Sequence, residues 1–140
     1  MIVGSWLLAV GHSLLEIFFM SNYKQLDAWK ISINLVTEVY KVLKLYPKEE
    51  LYSLTSQTKR AAISVPANIA EGLGRQYKKD TLQFLHIARG SLYELETHLI
   101  LAINIEILKK ENFDSIMIIW EKSIQLLNGL INYYEKAVLK

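Results

Sequence analysis

Apolar residues recur at steps of three and four along almost the whole chain from Leu26 onward, which is the period of an amphipathic α-helix. No stretch shows the strict alternation that is typical of a half-buried strand. The pattern predicts four helices. The first three start near Leu26, Lys48 to Glu50 and Lys78, and the fourth starts near Asn112, which is a suitable N-cap. The first helix should end near Tyr46, ahead of Pro47. Four long helices with short connections predict an all-α, up-down-up-down antiparallel four-helix bundle.

Each predicted helix has a main apolar stripe that we expect to form the core. In chain order the stripes are Leu26, Trp29, Ile33, Val36, Tyr40 and Leu43; Leu51, Leu54, Thr58, Ala61, Val65, Ile69 and Gly72; Leu82, Leu85, Ala88, Leu92, Leu95, Leu99 and Ala102; and Phe113, Met117, Trp120, Ile124, Leu127, Ile131, Tyr134 and Val138.

A second apolar set lies beside these stripes: Leu35, Val39 and Val42; Ile100, Ile103 and Ile107; and Ile119, Leu126, Leu130 and Tyr133. If only the main stripes were buried, a broad apolar surface would face water, which soluble monomers rarely tolerate. This surplus predicts self-association. In the alternative interpretation, the extra residues widen the helix contacts or cover the N-terminal segment.

The N-terminal segment differs from the rest, because residues 1–20 hold one acid, Glu16, and no Lys or Arg. Glu16 and the polar residues around His12 interrupt a membrane span, and a secretory signal would begin with positive charge. Three interpretations remain. Translation truly starts at Met20 and the residues before it are an artefact of an upstream start; the segment is an extra helix packed on the bundle; or it is a cleaved signal. We expect residues 1–22 to be an apolar extension and residues 23–140 to be the bundle domain.

Composition narrows the class of protein. The 140 residues are 51% hydrophobic, enough for one domain with a substantial core. The absence of cysteine excludes disulfides and thiolate metal sites and favours a reducing, cytoplasmic setting. A formal net charge of +2 permits a phosphate-bearing partner without requiring one.

The second and third helices carry residues that helix propensity alone would not select. Pro66 should bend the second helix, and Gly72 or Gly74 should end it, one of them in a left-handed cap. Gly90 lies in the middle of the third helix, which predicts a close approach of another backbone there.

Polar residues accompany these glycines and the proline. Asn68, Glu71 and Arg75 follow one another at steps of three and four, so they lie on one face and can bond to each other or across to a neighbouring helix. Glu94 lies four residues after Gly90 and is expected to receive Arg60 or Arg75 as a bidentate pair. We favour a structural role for this network over a ligand site.

Catalytic and cofactor sites find little support. The three histidines, His12, His86 and His98, are isolated and form no metal-binding spacing. A carboxylate pair among Glu71, Glu94 and Glu96 stays open, but Arg60, Arg75 and Arg89 are placed to neutralise it. The segment from Gly72 to Gly74 is too short for a phosphate loop and follows a helix. We therefore expect no enzyme activity, metal or cofactor.

One set of residues resembles a known family. It comprises Gln57, Arg60, Ser64, Pro66, Asn68, Ile69, Ala70, Glu71, Gly72 and Arg75, then Phe84, Ala88, Gly90, Ser91 and Glu94, with Leu26, Trp29 and Pro47 also in place. From about Tyr23 to the C-terminus, the chain resembles the bacterial four-helix-bundle proteins encoded in intervening sequences of 23S rRNA genes, often labelled S23-like. The resemblance implies a left-handed bundle that assembles as a ring-shaped pentamer. It also implies kinship with accessory proteins of diversity-generating retroelements, which bind a reverse transcriptase and nucleic acid.

A basic surface is the main functional hypothesis. Its residues are Lys59, Arg60, Arg75, Tyr77, Lys78, Lys79 and Arg89, and a ring would repeat them in every subunit to bind RNA or DNA. The alternative is a protein-only scaffold for a partner such as a reverse transcriptase. A third interpretation is a structural protein with no nucleic-acid contact. No membrane partner is expected.

Overall fold

The computed structural model describes residues 22–140. In this part of the chain a short 3-10 turn, Asn22–Gln25, is followed by four α-helices, with a second 3-10 turn, Lys48–Glu50, between the first two. The helices are α1, Asp27–Leu43; α2, Leu54–Leu73; α3, Lys78–Asn104; and α4, Lys110–Leu139. The N-terminal extension lies outside the described residues. The three expectations for it, a start at Met20, an extra helix or a cleaved signal, stay predictions.

The four helices form an antiparallel four-helix bundle, as the apolar period predicts. Each helix packs against the helices that precede and follow it, and α1 closes the bundle by packing against α4. Within residues 22–140, no helix is both long and apolar enough to cross a bilayer.

The α3 stripe is confirmed as the centre of the core. Leu85, Leu92, Leu95 and Leu99 are fully buried, and the indole Nε1 of Trp120 in α4 donates to the Leu92 carbonyl oxygen at 2.7 Å. A buried indole N–H needs such a partner, so this bond fixes α4 against α3.

The predicted stripe of α1 is only partly right, because Leu43 is buried and Trp29 and Val36 pack against the core without lying in it. The core face of this helix carries Ala28, Ser32, Leu35, Val39 and Leu43, while Ile33 is 40% exposed. Ser32 can be buried because its hydroxyl donates to the Trp29 carbonyl at 2.6 Å. Small residues at two core positions let α1 lie close to its neighbours, and this places Leu35 and Val39 of the second set inside together with Leu43 of the main stripe.

Two predicted helix starts are also wrong. The residues from Lys48 form a 3-10 turn, and α2 begins only at Leu54, so Leu51 is exposed. The helix α4 begins at Lys110, two residues before Asn112, with Lys109 as its N-cap. The chain reverses before α4 at Glu106, which has a φ of 65°, and a helix can restart as soon as this left-handed residue is passed.

The second apolar set is only partly buried by the single chain. Leu35 and Val39 lie in the core, whereas Val42, Ile103, Ile107, Ile119 and Leu130 are half-buried against it. Ile100 and Tyr133 are exposed. Other apolar side chains outside the predicted set are exposed as well, among them Ile63 and Ile87.

Candidate nucleic-acid interface and oligomer face

The junction between α2 and α3 explains Gly72. A Cβ atom at this position would lie 2.8 Å from Phe84 Cβ and 3.1 Å from the Thr81 carbonyl oxygen, closer than side chains pack. The Thr81 hydroxyl donates to the Gly72 carbonyl oxygen at 2.7 Å. Gly72 is therefore the point at which the first turn of α3 lies directly against α2.

The prediction of a left-handed cap is wrong. Gly74 caps α2 with a φ of −84°, a right-handed conformation, and its N–H bonds to the carbonyl oxygens of Ala70 and Glu71. A right-handed cap suffices because the chain leaves α2 by continuing the same turn. Helix α2 also runs without interruption through Pro66, which is buried.

The arginine side chains do not pair with Glu94, so this prediction is wrong. Arg75, just past the end of α2, bonds to Glu71 in the last turn of α2 at 3.0 Å, and its guanidinium lies 4.6 Å from the Phe84 ring centroid. Stacking on Phe84 holds Arg75 at the end of α2. The Glu94 carboxylate lies 3.8 Å from His98 Nε2 instead. Arg60 lines a cleft together with Glu94 but makes no ion pair within residues 22–140.

A polar link joins α2 and α3, and its cross-helix bond is made by Ser64 and Ser91 rather than by Asn68, Glu71 or Arg75. The hydroxyls of Ser64 and Ser91 lie 2.8 Å apart across the two helices, and Asn68 Nδ2 donates to the Ser64 hydroxyl at 2.8 Å. Asn68 also donates to the Ser64 carbonyl at 2.7 Å. Gln57 lies about two turns before Ser64 in α2 and is exposed.

Within residues 22–140 no backbone approaches Gly90, so the prediction is wrong for the described part of the chain. A Cβ atom there would meet nothing within 4 Å, and the residue is exposed. An open cleft of about 440 Å³ lies on the neighbouring surface, lined by residues of α2 and by Glu94 of α3. We call this surface the α2–α3 face: Arg60, Ile63, Ser64, Ala67, Ile87, Gly90, Ser91 and Glu94.

The predicted basic residues do not form one cluster. Lys59 and Arg60 lie near the start of α2 and Arg75 follows its end, so about 20 Å of helix separates them. The Lys59 ammonium lies 5.1 Å from the Tyr40 ring centroid, facing α1. Arg89 is half-buried and donates to Asn128 Oδ1 in α4 at 3.2 Å, so it joins two helices rather than facing solvent.

The rest of the predicted set lies at one end of the bundle, with residues that the sequence pattern did not reveal. Lys78 lines a cleft of about 290 Å³ with Tyr133, Lys136 and Lys140 from the end of α4. We call this surface the basic end: Arg75, Tyr77, Lys78, Lys79, Tyr133, Lys136 and Lys140. Antiparallel topology was the available signal, because it brings the start of α3 and the end of α4 together.

Within the described residues, the basic end combines unpaired lysines with exposed tyrosine rings. Its four lysines make no ion pair within residues 22–140, while Arg75 is neutralised by Glu71. Tyr77 and Tyr133 are exposed, at 64% and 62%. Lysines bind phosphates and exposed aromatic rings stack on bases, so this combination suits a nucleic-acid strand.

Comparison with known proteins identifies the family. The family model of the 23S rRNA-intervening sequence protein matches residues 24–129. The chain belongs to this family. A crystal structure of a protein with unknown function from the S23 ribosomal protein family of Bacteroides thetaiotaomicron is similar, with a TM-score of 0.69 and 26% identity. The match covers 74% of this chain and 97% of that one. The comparison with curated proteins gave no match.

The residues matched by the family model include all of the α2–α3 face but only part of the basic end. The match includes the part of the basic end that α2 and α3 supply, but it stops before Tyr133, Lys136 and Lys140. The resemblance stated from sequence to the 23S rRNA-intervening sequence proteins is confirmed. The α4 half of the basic end is a feature of this chain outside the matched range.

The histidines of the described chain are each near one carboxylate. His86 Nε2 lies 3.6 Å from Glu135, and His98 lies near Glu94 as described above. Between residues 22 and 140, no three side chains of His, Asp or Glu come together as a metal ion would require. Burial raises the pKa of Tyr134, and the neighbouring Tyr133 raises it further, so this phenol keeps its proton near neutral pH.

Proposed function

We propose that this 23S rRNA-intervening sequence protein is a non-catalytic, self-associating bundle that binds RNA or DNA through its basic end. The observation that carries the proposal is the convergence of Lys78, Lys136 and Lys140 around one cleft beside Tyr133. Phosphate contacts of this kind supply most of the affinity in binding that does not depend on sequence.

The charge of a single chain is modest, which makes assembly part of the proposal. Asp80 and Glu135 lie near the four lysines of the basic end, and the formal net charge of the whole chain is only +2. Several copies of the basic end in one assembly would contact several phosphates on one strand, and linked contacts multiply affinity.

The α2–α3 face supports self-association. Ile63 and Ile87 are exposed at 45% and 46%, and Gly90, one turn after Ile87 in α3, has nothing within 4 Å of an added Cβ in residues 22–140. Small residues such as Ala67 and Gly90 let another helix come close, and burial of the two isoleucines would favour it. In this proposal a second copy covers the face; a ring of five follows the family resemblance.

A second candidate function is docking of a protein partner such as a reverse transcriptase. The observation that favours it is apolar surface away from the α2–α3 face: Ile118 of α4 is 72% exposed, and Tyr93 of α3 is 48% exposed with its ring 6.0 Å from that of Trp120. In this alternative the partner, rather than the bundle, holds the nucleic acid.

Charge reversal distinguishes the two candidates. Lys78→Glu with Lys79→Glu places acids at the N-terminus of α3, where the helix dipole favours them, so the variant should fold. Binding of a labelled RNA or DNA hairpin, followed by fluorescence anisotropy, should weaken by about tenfold or more and depend less steeply on salt.

The matched control is Lys109→Glu with Lys110→Glu, the same charge change at the start of α4 and the opposite end of the bundle. It should bind nearly as well as the unaltered protein. If the Lys78 and Lys79 variant also binds equally, the basic end is not the nucleic-acid surface, and the protein-partner function takes its place.

A further inference from the structure

A cavity of about 250 Å³ lies where α1 turns into α2, at the opposite end from the basic end. Tyr46 and Thr55 line it, and so do Lys44, Lys48 and Lys59. None of these residues belongs to the basic end, so the cavity is a separate feature of the molecule.

Two buried hydroxyl groups of this cavity have no hydrogen-bond partner. Tyr46 is 7% exposed and Thr55 is 5% exposed, and neither hydroxyl is bonded within residues 22–140. A buried hydroxyl without a partner costs free energy, so such groups are rare. Of the four unpartnered side-chain atoms in this part of the chain, two line this one cavity. Burial raises the pKa of Tyr46 to about 12, so its hydroxyl remains a donor at neutral pH.

The charged residues that line the cavity are all lysines. Its three lysines make no ion pair within residues 22–140, and the Lys59 ammonium is held 5.1 Å from the Tyr40 ring. The two nearest acids, Glu49 and Glu50, lie in the 3-10 turn but do not line the cavity, and Glu50 accepts a hydrogen bond from Ser53.

The start of α2 adds to this positive field. Thr55 lies in the first turn of α2, at the positive end of the helix dipole. Two residues with buried, unpartnered hydroxyls, three lysines and the first turn of α2 therefore border one cavity, a set of groups that complements a small anion with several acceptor oxygens.

We propose that this cavity binds a phosphate monoester group, with the phosphate oxygens accepting hydrogen bonds from Tyr46 and Thr55 and the three lysines neutralising its charge. The volume equals that of about eight water molecules, which accommodates a phosphate and an attached sugar but leaves a base outside. A free mononucleotide and the terminal phosphate of a nucleic acid present the same chemistry. The proposal does not depend on the function of the basic end.

Calorimetric titration of the full chain tests this proposal and separates the two sources. The ligands are adenosine monophosphate, adenosine, inorganic phosphate, and a short oligonucleotide with and without a 5′-phosphate. We expect the monophosphate to bind and adenosine not to. Stronger binding of the phosphorylated oligonucleotide than of the monophosphate would identify a nucleic-acid end as the source; equal or weaker binding would identify the free mononucleotide.

Variants that remove only a hydroxyl locate the binding. Tyr46→Phe and Thr55→Val should each weaken binding of the monophosphate by about tenfold, because a hydrogen bond to a charged oxygen is lost. Neither variant leaves a new unpartnered group, so both should fold, and without ligand they should melt no lower than the unaltered protein. Tyr52→Phe is the matched control, since Tyr52 belongs to the same turn, is 92% exposed and does not line the cavity.

Charge variants complete the test. Lys48→Met should weaken binding of the monophosphate, whereas Lys122→Met in α4 should leave it unchanged. The Lys78 and Lys79 charge reversal should also leave it unchanged, which separates this site from the basic end. The proposal is overturned if the monophosphate binds no better than adenosine, or if its affinity is the same in the Tyr46, Thr55 and Lys48 variants.

Discussion

Gly72 and Gly90 lie in the same pair of helices, yet their surroundings are opposite. At Gly72 an added Cβ would lie 2.8 Å from Phe84, whereas at Gly90 it would meet nothing within 4 Å. A glycine inside a helix costs about 1 kcal/mol relative to alanine. The fold of one chain gives a reason for accepting that cost at Gly72 and none at Gly90. Gly129 of α4 is equally open within residues 22–140, so openness alone does not distinguish Gly90. What distinguishes Gly90 is its place one turn after the exposed Ile87, on the α2–α3 face that we propose a second copy covers.

The largest effect on stability is expected at Gly72, where the two helices are in close contact. Gly72→Val forces a branched side chain between α2 and α3 and disturbs the hydrogen bond from Thr81, so it should lower the free energy of unfolding by roughly 3 to 4 kcal/mol. Urea unfolding followed by circular dichroism measures it. Gly129→Val, in α4 where an added Cβ meets nothing within 4 Å, should change stability by less than about 1 kcal/mol.

Tyr46 and Tyr52, both in the connection between α1 and α2, allow a buried and an exposed phenol to be compared. Burial raises the pKa of Tyr46 from 10.0 to about 12, so the folded chain favours the protonated phenol. Its contribution to stability is complete below pH 10 and is lost as the pH rises through 12, a loss of about 3 kcal/mol. Unfolding measured across this range should show a smaller loss for Tyr46→Phe than for the unaltered protein. Tyr52→Phe should retain the full loss, because Tyr52 is 92% exposed.

The smallest effect on stability is expected at the polar link between Ser64 and Ser91. Ser64→Ala removes the hydroxyl that bonds Ser91 and Asn68, while Ser91 keeps its bond to the Ile87 carbonyl at 3.0 Å. The free energy of unfolding should fall by about 1 kcal/mol. Ser115→Ala, at an exposed site of α4, should leave it unchanged or slightly higher. A fall as large as that of Gly72→Val would mean that this link, and not the glycine contact, holds α2 to α3.

The helical period of the sequence predicts the fold but does not fix which apolar face is inside. In α3 the main stripe runs the length of the helix and forms the core, while the second set reaches only its last turns. In α1 two apolar sets compete, and the buried face takes residues of both together with Ala28 and Ser32, which hydrophobicity alone does not favour. The close packing of helices selects small residues at such positions, and this depends on the neighbouring helices rather than on α1 itself.

The candidate site was predictable only where residues are close along the chain. Tyr77, Lys78 and Lys79 are adjacent and lie together, but the sequence gives no direct sign that Lys136 and Lys140 join them. In the other direction, Arg75 and Arg89 look available in the sequence, yet hydrogen bonds to Glu71 and Asn128 engage them. Side-chain pairing across helices depends on helix rotation, which periodicity leaves open.

The mass of the assembly in solution tests the central claim most directly. Gly90→Arg should not harm the single chain, because the position is open and arginine is the better helix former. If the α2–α3 face packs against another copy, light scattering should show the unaltered protein and Gly129→Arg as one oligomer and Gly90→Arg as a folded single chain. An unaltered protein that is itself a single chain, or a Gly90→Arg variant that keeps the full oligomer mass, would contradict the account.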